Sequence, residues 1–102
     1  MTILIFACVA FVASAARATE IHVVSSGGFA AALKALATGY EQATGDRLIL
    51  GFGPSMGETR DAVPARLARG EDIDVVIMVG DALGKLADMG EIAPGTRVDL
   101  AF

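Results

Sequence analysis

The sequence predicts an α/β fold of three layers, with helices on both faces of a mostly parallel sheet. Strand-like and helix-like stretches alternate three times, with short connections and no internal repeat. That order is the one right-handed crossovers turn into a parallel sheet. The stretch Ile73–Val79 is almost continuously apolar, as expected of a central strand covered on both faces. A third observation bears on function. Each strand-like run ends in a turn with small or hydroxyl residues, at Ser25–Gly28, Gly53–Gly57 and Val79–Asp81. In open parallel sheets, ligands sit beyond the carboxyl ends of the strands.

Each element follows from its residues. Ile21, Val23 and Val24 are β-branched and suit a packed strand. Ser25, Ser26, Gly27 and Gly28 then open a helix, where free N–H groups beside two hydroxyls form an anion cradle. Phe29, Ala32, Leu33, Leu36, Ala37 and Tyr40 recur at helical spacing, predicting a helix over Phe29–Thr44 with Gly45 as its left-handed cap. Arg47–Phe52 reads as a second buried strand, leading into a turn that holds Ser55. A second helix is expected over Glu58–Arg69, with Pro64 breaking or kinking it. After the third strand, Asp81 is the expected N-cap of a helix over Ala82–Met89, and Gly90 its C-cap. Pro94-Gly95 is a turn, and Val98–Phe102 begins another strand.

At 102 residues the chain is at most one small domain or one lobe of a larger one. Its formal charge of −4 and the lack of a basic patch argue against a nucleic-acid partner. The apolar run Ile3–Ala16 is about 14 residues, short of the roughly 20 of a membrane span, and it fits the core of a secretory leader. Ala16-Arg17-Ala18 has the small-x-small spacing of a cleavage site, with Ala13-Ser14-Ala15 the alternative. Residues 1–18 are therefore read as a signal peptide and 19–102 as the mature segment, an exported, periplasmic one. No Lys or Arg precedes the run. Removing Arg17 leaves seven basic residues against twelve acidic and a formal charge of −5. Cys8 lies inside the run and Phe6 fits a lipidation box poorly, so Cys8 is read as an ordinary leader residue. As a single cysteine it makes no internal disulfide.

The residues offer no hydrolytic set. His22 alternates with Ile21 and Val23, which places it on the sheet's other face or its rim. Asp74 and Asp81 have no second carboxylate or His at metal-ligand spacing. Met56, Met78 and Met89 are read as packing residues. Gly51-Phe52-Gly53 lacks the later glycine of a dinucleotide fingerprint. The expectation is accordingly a binding protein, with no enzymatic activity, no metal and no cofactor. Ser25, Ser26 and Ser55 can also be plain helix caps.

With these turns in order, the chain resembles the periplasmic molybdate-binding proteins of ABC importers and, more broadly, the type II periplasmic binding proteins. The resemblance runs from Ile21 to Phe102. It rests on Ile21–Gly28 with its helix, Thr44-Gly45-Asp46, Phe52-Gly53-Pro54-Ser55, Asp74-Val75-Val76-Ile77, Leu86–Gly90 and Pro94–Ala101. It implies the first lobe of a two-lobed protein that closes on a tetrahedral oxyanion, most simply molybdate, held by neutral donors. It also implies a monomer that delivers its ligand to an ABC importer's membrane permease. By position Ser55 matches a serine that binds the oxyanion, and Val79 a residue contributing its backbone N–H. The remaining family serine falls on Gly28, where only the backbone N–H serves, leaving Ser25 or Ser26 to supply a hydroxyl. On this reading the 102 residues are an N-terminal piece whose second lobe is absent. The alternatives are a protein of the same fold for another small solute, suggested by Gly28, or a fragment of an exported α/β hydrolase.

Overall fold

A computed structural model of the protein describes residues 18–100. The expected leader, including Cys8, lies outside the described residues apart from Ala18, as do Ala101 and Phe102. No helix among the described residues is long and apolar enough to cross a membrane.

The elements are β1 (Glu20–Ser25), a 3-10 turn (Gly27–Phe29), α1 (Ala30–Thr44), β2 (Arg47–Phe52), α2 (Val63–Ala68), β3 (Val75–Ile77) and α3 (Gly80–Asp88). The three strands form a parallel sheet in the order β2-β1-β3. The α/β reading with helices flanking a parallel sheet is what the chain adopts. Among the described residues β1 lies between β2 and β3, and the apolar run Ile73–Val79, expected as a central strand, pairs there over Val75–Ile77 with β1 alone. Hydrophobic continuity reports burial on both faces and carries no information about which neighbour a strand takes.

Register assigns the faces. Val23 pairs with Leu50 and Val75, and Ser25 with Phe52 and Ile77, so these residues share one side of the sheet. Helix α1 covers that side. It buries Leu33 and Ala37, and its Lys34 ammonium lies 4.9 Å from the centre of the Phe52 ring. On the opposite side Val24 meets Val63 of α2 and Leu86 of α3, with Leu67, Ile73, Val76, Met78 and Ile92 packed around them. Val63 has no exposed surface; burying such a side chain contributes about 2 kcal/mol. His22 falls on this second side, as its alternation with Ile21 and Val23 predicted.

Helix boundaries show where local signals were outvoted. Gly45 ends α1 with φ 76° and donates its N–H to Glu41 O, the left-handed cap expected of it. The second helix is shorter than Glu58–Arg69. Residues 58–62 are turns, and Pro64 sits in the first turn of α2, where its missing N–H costs nothing. Arg66, on α2, holds this arrangement through Asp61 O (3.0 Å), Glu71 Oε1 (2.9 Å) and Phe52 O (3.3 Å). The third helix starts at Gly80, with Val79 in the cap position. Asp81 lies in its first turn and makes no capping bond. Met89 is the C-cap residue and Gly90 follows it with φ 79°. Val98 to Leu100 form no strand.

Candidate functional site

The carboxyl ends of the three strands are stitched together by their own turns. Gly53 N–H donates to Ser25 O (3.0 Å), tying the end of β2 to the end of β1. Ser26 N–H donates to Ile77 O (2.8 Å), tying β1 to β3. Val79 N–H donates to Ser55 Oγ (3.1 Å), tying the start of α3 to the loop after β2. The three turns singled out in the sequence therefore meet at one edge of the sheet.

The fit is tightest at Gly53. A Cβ on this residue would stand 1.8 Å from Asp61 O and 2.8 Å from Asp61 C. The loop 54–62 folds back so that Val63 N–H reaches Pro54 O at 2.9 Å. Only a residue without a side chain lets the returning backbone come this close. The sequence reading placed Gly53 in the turn but did not single it out, because a non-local approach leaves no local signature.

The five candidate residues have distinct surroundings. Ser55 is buried, 7% exposed. Its oxygen accepts from Val79, which leaves the hydroxyl proton available to a ligand. Val79 thereby commits its N–H to Ser55, where the resemblance had it facing the ligand. Gly80, Asp81 and Ala82 follow at the start of α3, a helix without any side-chain cap. Their N–H groups are the open donors at that terminus. Ser25 departs from the expectation of a ligand hydroxyl: it has no exposed surface, and its Oγ donates to Ser26 O at 3.0 Å. Ser26 is half-buried, makes no capping bond, and is the better placed hydroxyl in this turn. Gly28 is exposed, and a Cβ there would meet nothing within 4 Å. Its lack of a side chain is thus no packing requirement. It leaves space beside the first turn.

The other polar pairings lie away from this edge. His22 N–H donates to Asp74 Oδ2 and Asp74 N–H to His22 O, both at 2.8 Å, and His22 Nε2 stands 3.8 Å from Asp72 Oδ2. These contacts belong to the sheet's opposite half. Among the described residues no three His, Cys, Asp or Glu side chains are grouped to hold a metal ion.

A parallel α/β lobe whose strand ends converge on helix N-termini and small polar turns is the architecture of a solute-binding lobe. In agreement, the bacterial extracellular solute-binding protein family matches residues 21–102, and the chain belongs to that family. A relative from Pseudomonas sp. named aconitate isomerase is 50% identical over 82 residues, which is 80% of this chain and 31% of the relative. The chain thus spans about a third of the length of the curated relative it matches.

That second match overturns the expectation of a protein without catalytic activity, because the relative is named as an enzyme. The lack of a nucleophile with its base and acid in these 102 residues is no evidence against an activity carried by a protein about three times as long.

Proposed function

We propose that the chain is the anion-cradling lobe of a solute-binding-fold protein whose ligand is a small polycarboxylate, and that the full-length protein interconverts isomers of aconitate. The observation that carries this reading is the stitched edge, with Ser55 Oγ 3.1 Å from Val79 N at the start of α3. The identity to the aconitate isomerase over 82 residues supports the choice of ligand. An allylic isomerisation of a double bond flanked by carboxylates removes a proton from the adjacent carbon, spreads that electron pair into the conjugated carboxylate, and returns a proton at the other end of the shifted double bond. Ser55 Oγ–H, Ser26 Oγ–H and the N–H groups of Gly28, Gly80 and Asp81 would bind that carboxylate and stabilise the added charge. Preorganised donors in a site shielded from water are the efficient way to do so. These residues bind and orient; none of them is assigned the proton transfer.

In this reading residues 1–18 are a cleaved leader, 19–102 the N-terminal part of the domain, and a second lobe closes over the ligand in the periplasm. A second reading is favoured by the neutral character of Ser25, Ser26, Gly28, Ser55 and Val79. In it, the cradle takes a tetrahedral oxyanion such as molybdate and passes it to an ABC importer's permease.

Calorimetric titration of the full-length protein with cis-aconitate, trans-aconitate, molybdate and sulfate separates the two. Interconversion of the aconitates is followed by proton NMR in the same samples. We expect saturable heat with at least one aconitate and conversion of one isomer to the other. Heat with molybdate alone would replace the first reading by the second, and no heat with any of the four would overturn both.

Gly28→Ser serves as a steric check in the same series. Because a Cβ at this position meets nothing within 4 Å and φ is not positive, the variant should unfold at the same urea concentration as the parent. A clear drop in midpoint would show that the first turn is tighter than described.

A further inference from the structure

The loop 53–62 carries Ser55, and its carbonyls lack the usual main-chain donors. Residues 58–62 are turns, and four positions beyond Arg60 stands Pro64, which has no N–H to give. Two arginine side chains supply the donors instead. Arg66 Nε donates to Asp61 O at 3.0 Å and a terminal nitrogen of Arg66 to Phe52 O at 3.3 Å, while Arg69 donates to Arg60 O at 2.6 Å. The loop is gripped both where it leaves β2 and where it enters α2.

Both arginines converge on one carboxylate. Glu71 Oε1 accepts from Arg66 at 2.9 Å and Glu71 Oε2 from Arg69 at 2.8 Å. The end of α2 puts Glu71 there. Gly70, with φ 74°, donates its N–H to Leu67 O, and Glu71 N–H donates to Arg66 O, the paired bonds of a Schellman turn. That turn folds the chain back toward the helix and brings Glu71 up to the two guanidinium groups. Gly51 completes the fit from the sheet, since a Cβ on it would stand 2.9 Å from a terminal nitrogen of Arg66. The Arg66 side chain is 18% exposed and that of Glu71 33%, so water screens their pairing less than it would on an open surface.

We propose that Glu71 is a positioning residue for the anion site. By orienting Arg66 and Arg69 together it fixes the loop 53–62, and with it the place of Ser55 Oγ against Val79 N–H. An arginine gives up much rotamer freedom to hold a carbonyl; a shared carboxylate fixes two of them at once through charge-assisted bonds. The effect of Glu71 on binding rests on the reading of Ser55 as a ligand donor. Its effect on the loop does not.

The test uses the full-length protein, with trans-aconitate as the probe. Glu71→Gln keeps the shape of the side chain and removes its charge. We expect Tm to fall by no more than about 3 °C, because partly exposed ion pairs contribute little to global stability. The N–H groups of Val63 and Val79 bond Pro54 O and Ser55 Oγ and report on the loop directly. Their amide hydrogen exchange should quicken at least about 10-fold, with Val23 and Val24 unchanged. Affinity for trans-aconitate should fall about 3- to 10-fold in the parent background and less than about 2-fold in Ser55→Ala, where no hydroxyl remains to be placed. Arg69→Gln should give the same pattern, and it decides the matter if Glu71→Gln does not fold. Unchanged exchange at Val79 would overturn the proposal, as would an equal change of affinity, or none, in both backgrounds. If trans-aconitate does not bind, or binds Ser55→Ala as it binds the parent, it is the reading of the site that fails, and exchange at Val79 decides the role of Glu71 by itself.

Discussion

Gly53→Ala is expected to destabilise the protein by about 3 kcal/mol, near the upper end of what overpacking costs. The added methyl carbon would sit 1.8 Å from the Asp61 carbonyl oxygen. That atom belongs to the main chain and has no rotamer by which to move aside. Relief requires the loop 54–62 to shift, and with it the bond from Val63 N–H to Pro54 O and the Gly53 N–H to Ser25 O bond that joins β2 to β1. Backbone conformation does not contribute, since φ at Gly53 is not positive. Urea unfolding of the full-length protein measures the effect. A midpoint within error of the parent would mean that the loop yields freely and that the close approach has no energetic weight. The same shift should loosen ligand binding in whatever fraction remains folded, because Ser55 is carried by this loop.

Ser55→Ala has the second large expected effect, and it acts on two levels. In the free protein Val79 N–H loses its acceptor in a part-buried contact, which costs about 1 kcal/mol and loosens the start of α3. In the complex the ligand loses a hydroxyl donor as well. A hydrogen bond to a charged group is worth about 1.5–3 kcal/mol, so affinity for the bound anion should fall roughly 10- to 100-fold. Calorimetry well below the variant's unfolding temperature separates the two levels. Ser55→Thr, which keeps the hydroxyl, should restore most of the affinity. Unchanged affinity in the alanine variant would reduce Ser55 to a support for α3 and move the site to the Gly27–Gly28 turn.

Much of the lobe is legible in residue pattern alone. A β-branched run at Ile21–Val24 and an apolar run at Arg47–Phe52 mark two strands, the three- and four-residue spacing of Phe29 to Tyr40 marks α1, and Gly45 marks where that helix ends. These signals are local: each depends on what a residue does to its own backbone or to neighbours a turn away. The positions of the candidate site were legible for the same reason, since serine and glycine at strand ends declare a turn.

The shortfalls have one physical cause. Pro64 is compatible with a helix that breaks and with one that begins there, and only the fold-back of loop 54–62 selects the second. Ser25 and Ser26 are equivalent as residue types. Strand alternation turns Ser25 inward, so that its hydroxyl bonds Ser26 O, and leaves Ser26 half-exposed. Val79 carries an N–H whose donation to Ser55 Oγ spans 24 positions of sequence.

By itself the sequence determined the element order, the parallel α/β class and the three turns where chemistry gathers, because hydrophobic period and turn residues act over a few positions. Tertiary structure alone decided that β1 lies between β2 and β3 among the described residues, that the loop after β2 closes tightly over Gly53 and that Ser55 meets Val79. Each of these is a contact between distant residues, set by which surfaces bury one another and by which donors are left to pair.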